Sequence, residues 1–98
     1  DSFIKKYKLE GVFAFILTAE TSHSKEDNIK NFLKKFSLKQ EEVITIGDTV
    51  MDIKASRKNG LKIISTTWGY QHKNILIKAK PDFIAKKPED IIKIIGCL

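Results

Sequence analysis

The chain has 98 residues, of which 42% are hydrophobic, so it is long enough for one small globular domain. Eighteen Lys and Arg residues against twelve Asp and Glu residues give a net charge of +6. The lysines are scattered along the chain and Arg57 is the only arginine, so we expect no nucleic-acid partner. We also expect no membrane partner, because no apolar run approaches a membrane span. The single cysteine, Cys97, cannot form an internal disulfide and indicates a reducing, cytoplasmic location.

In chain order, the hydrophobic pattern predicts strands that alternate with helices. Residues 2–7 are interpreted as the end of a helix. Strands are expected at 13–18, 43–47, 61–66 and 82–85. Helices are expected from Lys25 with Ser24 as N-cap, over 49–59, over 73–80, and from Pro88 to the end of the chain. This alternation predicts the α/β class, with a partial Rossmann-like three-layer core around a parallel sheet of about four strands.

Two carboxylates follow the predicted strand 43–47. Asp48 is expected on the turn that leaves the strand, and Asp52 one helical turn later on the same side. The carboxyl ends of the strands are where open α/β sheets bind ligands, and two carboxylates there suit Mg²⁺. The alternative is an ordinary helix start, with Asp48 as the N-cap and Asp52 as a first-turn acid.

The string Gly47-Asp48-Thr49-Val50-Met51-Asp52 and its continuation to T-T-W-G-Y at Tyr70 resemble the haloacid dehalogenase-like hydrolases. The resemblance is to the phosphoglycolate-phosphatase-like branch, whose fourth motif reads G-D-x-x-x-D. It covers nearly all of this chain but only the carboxyl-terminal half of such an enzyme. It implies that residues 1–98 are the carboxyl-terminal part of a core domain, without the cap and the first-motif region.

The resemblance also implies a site. Asp48 would be a Mg²⁺ ligand, and Asp52 a second ligand or the partner of one. Lys25 would be the third-motif lysine that neutralises the transferring phosphoryl group, although Glu26 follows it where the family usually has Pro; the alternative is an exposed lysine at a helix start. Thr49 is a candidate phosphate or substrate contact. The implied reaction is hydrolysis of a small phosphorylated metabolite, a phosphate monoester, through an aspartyl-phosphate.

The family's first motif, D-x-D-G-T, does not occur in these 98 residues. Since that motif supplies the nucleophile, we expect the isolated chain to be inactive. Two strands that the family places between 13–18 and 43–47 are also missing. Strand 13–18, expected at the edge, either closes up against 43–47 or leaves a gap that another chain fills. A bare sheet face would favour self-association or binding of the missing amino-terminal half. The alternative function is a truncated, non-catalytic interaction or oligomerisation module.

Overall fold

The computed structural model describes residues 4–9, 11–17, 25–68 and 73–97. Its strands are β1 (Ile4–Leu9), β2 (Val12–Leu17), β3 (Val43–Gly47), β4 (Lys62–Thr66) and β5 (Phe83–Ala85). Its helices are α1 (Lys25–Lys35), α2 (Val50–Lys58), α3 (Lys73–Lys78) and α4 (Pro88–Gly96), with a short 3₁₀ turn at Gln40–Glu42. From β2 onward, strands and helices alternate as the sequence predicts. The predicted N-cap Ser24 lies outside the described residues.

The five strands form one sheet in the order β1-β2-β3-β4-β5. The pairs β2–β3, β3–β4 and β4–β5 are parallel, which confirms the predicted four-stranded parallel sheet. Strand β2 pairs directly with β3, with Ala14 opposite Ile44 and Ile16 opposite Ile46. Of the two alternatives for strand 13–18, this chain therefore adopts the one in which the strand closes up against 43–47.

The interpretation of residues 2–7 as the end of a helix is wrong for the part that the structure describes, because residues 4–9 form β1. Strand β1 pairs antiparallel with β2 over six residue pairs, from Ile4 opposite Leu17 to Leu9 opposite Val12. Gly11 has a φ of 81°, which glycine adopts without strain, and it lets the chain reverse directly into β2. The expectation that strand 13–18 forms the edge is wrong for the same reason, because β1 covers its outer side.

The sheet lies between two helical layers, which confirms the predicted three-layer core. On one face, α1 and α2 pack against β2 and β3 through an apolar cluster, and Phe15 meets Phe32 edge to face with ring centroids 4.9 Å apart. Leu76 of α3 packs on the same face against Ile53 and Ile63. On the other face, α4 packs against the strands, with Ile95 buried among their side chains.

The apolar strand residues expected on a bare sheet face are covered within the single chain. All five are at most 5% exposed: Val43, Ile44, Ile46, Ile63 and Ile64. Exposed large apolar side chains lie elsewhere among the described residues, at Phe36, Met51, Trp68, Ile75, Ile77 and Ile92. Self-association remains a prediction, but the bare face from which it was argued is not found. No helix in the described part of the chain has the length and apolar character needed to cross a membrane.

Candidate functional site

The turn between β3 and α2 is built around a buried carboxylate. Thr49 is the N-cap of α2, and its Oγ1 accepts a hydrogen bond from the backbone N–H of Asp52 at 3.2 Å. In return, Oδ2 of Asp52 accepts the backbone N–H of Thr49 at 3.0 Å and that of Asp48 at 2.9 Å. This is a capping box, in which each side chain satisfies amide groups that the helix start leaves unpaired. The alternative expectation that Asp48 is the N-cap is therefore wrong; the N-cap is Thr49.

Gly47 is required by the close approach of this carboxylate to the end of β3. A Cβ atom placed on Gly47 would lie 2.4 Å from Oδ2 of Asp52 and 2.5 Å from its Cβ. Both distances are far below van der Waals contact. The glycine, the buried aspartate and the N-cap threonine thus form one steric and hydrogen-bonded unit at the carboxyl end of the strand.

The two acids of the motif have different surroundings. The side chain of Asp52 is fully buried, whereas Asp48 is half-buried at the turn. Asp48 is therefore the more accessible of the two carboxylates. In addition, Oδ2 of Asp52 already accepts two backbone amides. No group of three or more His, Cys, Asp and Glu side chains that could hold a metal lies within the described ranges. The donor set suits a cation such as Mg²⁺, which usually takes one or two carboxylates and fills its remaining positions from water and phosphate.

The other two candidate residues, Lys25 and Thr49, are placed differently with respect to this turn. Lys25 is the first residue of α1, the helix that follows β2, and β2 and β3 are neighbours. The residue after Lys25, Glu26, contacts the carboxyl end of α2: its backbone carbonyl accepts Nδ2 of Asn59 at 3.0 Å, and its carboxylate lies 3.5 Å from Nζ of Lys58. Asp48 and Thr49 are at the other end of α2, so the structure does not bring the start of α1 to the β3–α2 turn. The role expected for Lys25 remains a prediction. The hydroxyl of Thr49 caps the helix, so it acts on the turn through the bond to Asp52.

A buried pair of hydroxyl groups joins β3, α2 and β4. The hydroxyls of Thr45 and Ser56 lie 2.6 Å apart, and Thr45 Oγ1 also donates to the carbonyl of Lys62 at 3.0 Å. Because the Thr45 proton is used in that way, Ser56 donates to Thr45. The backbone carbonyl of Ser56 accepts from the N–H of Leu61, which closes the end of α2 onto β4. These bonds fix α2, and with it Asp52, against the sheet.

Thr66 and Thr67, which the sequence analysis did not consider, lie at the end of β4 and directly after it. Thr66 Oγ1 donates to the carbonyl of Gly47 at 3.4 Å, a long bond between the ends of β4 and β3. The backbone N–H of Thr67 donates to the carbonyl of Ala85 at 3.0 Å and ties the loop after β4 to the end of β5. The next residue, Trp68, is 48% exposed. Its place at a strand end is the signal that sequence reasoning could have used.

Comparisons with known proteins identify the chain's relatives. A family model described as haloacid dehalogenase-like hydrolase matches residues 1–66. The chain is 33% identical to a phosphoglycolate phosphatase from Aquifex aeolicus, over 88% of this chain and 40% of that protein. It is 29% identical to the pyrophosphatase PpaX of Anoxybacillus flavithermus, over 95% of this chain and 45% of that protein.

Solved structures agree with these relatives. A hydrolase of the haloacid dehalogenase-like family from Streptococcus pneumoniae superposes with a TM-score of 0.70 and 32% sequence identity. The superposition covers 76% of this chain and 37% of that one. The chain therefore spans less than half the length of the relatives it matches.

Proposed function

Because this chain belongs to the haloacid dehalogenase-like hydrolases, we propose that it forms the carboxyl-terminal part of the core domain of a Mg²⁺-dependent phosphatase. The proposed reaction is hydrolysis of a phosphate monoester of a small metabolite. The observation that carries the proposal is the turn in which the buried Asp52 holds the amides of Asp48 and Thr49 at the carboxyl end of a parallel strand. Relatives named as phosphatases support the reaction class.

In this proposal, the two acids divide the work. Asp48 is the side chain that would hold Mg²⁺, which would neutralise phosphate charge and orient the phosphoryl group. Asp52 acts as a positioning residue, because its carboxylate fixes the backbone on which Asp48 sits. Thr49 contributes through its cap to the same backbone. Lys25 keeps only the role that the resemblance implies, because its neighbour Glu26 contacts the end of α2 opposite Asp48.

The chain lacks the carboxylate nucleophile that this chemistry needs, so the proposal assigns the nucleophile to polypeptide outside these 98 residues. We therefore expect the isolated chain to release no phosphate from 4-nitrophenyl phosphate in the presence of Mg²⁺. Release of phosphate by the isolated chain, abolished by Asp48→Asn, would contradict the assignment.

A chimera tests whether Asp48 supports phosphate release once a nucleophile is supplied by the rest of a phosphatase. The chain replaces the matching 40% of the Aquifex aeolicus phosphatase, and phosphate release is measured with Mg²⁺. We expect an active chimera whose rate falls on the order of 10²-fold or more with Asp48→Asn, as for loss of one electrostatic contact to a transition state. Glu41→Gln, an exposed charge change at the opposite end of β3, is the matched control and should retain the rate. Equal rates for the two variants would overturn the role of Asp48.

A second candidate is a non-catalytic module that acts through interaction or self-association. The direct pairing of β2 with β3 favours it, because the sheet is continuous without any inserted strand. Sedimentation equilibrium at high protein concentration tests self-association, and a strict monomer would contradict it. The coding sequence upstream of Asp1 separates the two candidates: a D-x-D-G-T string in the same reading frame establishes the enzyme, and a start codon immediately before Asp1 favours the module.

A further inference from the structure

Three neighbouring strands end in residues of complementary chemistry along one edge of the sheet. Asp48 follows β3, Trp68 lies two residues after β4, and Lys86 follows β5. These strands are adjacent and parallel, so their carboxyl ends lie side by side. With strands about 4.8 Å apart, the ends of β3 and β5 are separated by about 10 Å. A carboxylate, an indole and an ammonium group thus follow one another across that span.

The backbone just before Trp68 is held to the end of β5. The backbone N–H of Thr67 donates to the carbonyl of Ala85 at 3.0 Å, and its Oγ1 reaches the same carbonyl at 3.5 Å. Trp68 comes directly after this contact and Lys86 directly after Ala85, so the two residues start from one hydrogen-bonded point. Trp68 is 48% exposed, a large exposed fraction for the largest apolar side chain, so about half of its surface is accessible to a ligand.

The backbone of the two lysines after β5 is held by hydrogen bonds. Lys86 and Lys87 are both exposed, and their backbone N–H groups donate to Oδ2 of Asp90 at 3.0 and 3.3 Å. These two bonds use only the backbone of the lysines, so the loop is held at this point without their ammonium groups. The β5–α4 connection therefore carries two exposed lysines, the first of which directly follows the residue that Thr67 contacts.

We propose that Trp68, Lys86 and Lys87, here called the basic rim, bind the leaving-group end of the substrate. The inference rests on the proposed function, in which the phosphoryl group lies at Asp48. The ring of the leaving group stacks on Trp68, one strand away, and an anionic substituent of that ring meets the lysines. The substrate class is then a phosphate monoester of a planar ring that carries a carboxylate or a second phosphate.

Three phosphate monoesters separate the contribution of the ring to binding from that of the distal anion. 4-Carboxyphenyl phosphate has the ring and the distal anion, phenyl phosphate lacks the distal anion, and 3-carboxypropyl phosphate lacks the ring. Trp68 is the only tryptophan of the chain, so its fluorescence reports directly on the rim. We expect 4-carboxyphenyl phosphate to quench it and to bind roughly threefold to tenfold more tightly than either other probe, the range given by one or two exposed charge pairs or one stacked ring. Calorimetry supplies the dissociation constants independently.

Substitutions in the basic rim test whether it causes the tighter binding of 4-carboxyphenyl phosphate. Replacing Lys86 and Lys87 with Gln should reduce the ratio between 4-carboxyphenyl and phenyl phosphate to about one, because only the distal anion distinguishes these probes. Replacing Lys34 and Lys93 with Gln is the matched control: it removes the same charge from exposed positions near the ends of α1 and α4, and should preserve the ratio. Trp68→Leu should remove the advantage over 3-carboxypropyl phosphate, as read by calorimetry.

Each titration is run with and without Mg²⁺, which keeps the two proposals apart. If Mg²⁺ strengthens all three probes equally while their affinities do not differ, the rim is overturned and the metal site stands. If the probes differ as expected and Mg²⁺ has no effect, the rim stands and the metal site fails. A ratio that falls equally in the rim variant and in the Lys34 and Lys93 control would also overturn the rim, since it would reflect net charge alone.

Discussion

Substitution of Gly47 by Ala tests the packing on which the candidate site depends. The added methyl group would lie 2.4 Å from Oδ2 of Asp52 and 2.5 Å from its Cβ. Rotation of the carboxylate cannot relieve the second contact, because the Cβ of Asp52 is fixed to α2. The helix must therefore move away from β3, or the bonds from Asp52 to the amides of Asp48 and Thr49 must be lost.

The expected cost follows from these contacts. Overpacking of a tight site costs about 1–3 kcal/mol, and a hydrogen bond to a charged group contributes about 1.5–3 kcal/mol. We expect Gly47→Ala to lower the free energy of unfolding by about 3 kcal/mol, a large fraction of the roughly 5–15 kcal/mol typical of a domain of this size. At about 4–8 °C per kcal/mol, Tm should fall by about 12–24 °C.

Urea denaturation, followed by far-ultraviolet circular dichroism, measures this loss. The matched control is Gly96→Ala at the end of α4, where a Cβ would meet no atom within 4 Å. This control should be neutral or should stabilise the chain by up to about 1 kcal/mol, because Ala restricts the unfolded chain more than Gly does. A change of less than about 0.5 kcal/mol for Gly47→Ala, the size of an ordinary surface substitution, would refute the close approach of Asp52.

Two further substitutions test the hydroxyl groups of the sheet. Ser65→Ala should be neutral or stabilising by up to about 1 kcal/mol, because Oγ of Ser65 is buried and finds no hydrogen-bond partner among the described residues, so its burial is uncompensated. A loss of stability in urea denaturation would show that the hydroxyl is satisfied. Thr45→Val should cost about 1–2 kcal/mol, because it leaves the Ser56 hydroxyl and the Lys62 carbonyl without Thr45. Thr45→Ser keeps the hydroxyl and should recover part of that loss in the same assay, whereas equal stability of the Val and Ser variants would contradict the bonded pair.

The parallel part of the sheet could be predicted from the sequence because its strands are apolar on both faces. The run at 43–47 is buried at every position in β3, as a strand between two helical layers must be. The helix that follows was predicted over 49–59 and extends over Val50–Lys58, ending before Gly60 in its left-handed conformation. These local signals agree with the tertiary structure.

Strand β1 could not be predicted in the same way. Its sequence, I-K-K-Y-K-L, alternates neither with the period of a strand nor with that of a helix, and its pairing with β2 decides its conformation. The direct contact between β2 and β3 was one of two alternatives that the sequence left open. The structure decides between them, because β2 pairs directly with β3, with Phe13 opposite Val43.

The sequence identified the residues of the β3–α2 turn but not the hydrogen bonds between them, and their roles in a site stay a prediction. The spacing of Asp48 and Asp52 indicated two acids on one side of a helix start, and the structure brings the carboxylate of Asp52 to the amide of Asp48. The T-x-x-D pattern from Thr49 to Asp52 is the sequence signal for the capping box, and it assigns Asp52 to the backbone. The clash at Gly47 could not be read from the sequence, because it depends on how α2 sits against β3.

The central claim is that Asp48, held by the buried Asp52, is the side chain that binds Mg²⁺. The most direct measurement is a Mg²⁺ titration of the chain followed by amide chemical shifts in NMR. We expect saturable shifts at the backbone of Asp48 and Thr49 that disappear in Asp48→Asn and persist in Glu41→Gln, with both variants as stable as the parent chain. Shifts that survive Asp48→Asn unchanged, or that appear only away from the β3–α2 turn, would contradict the account.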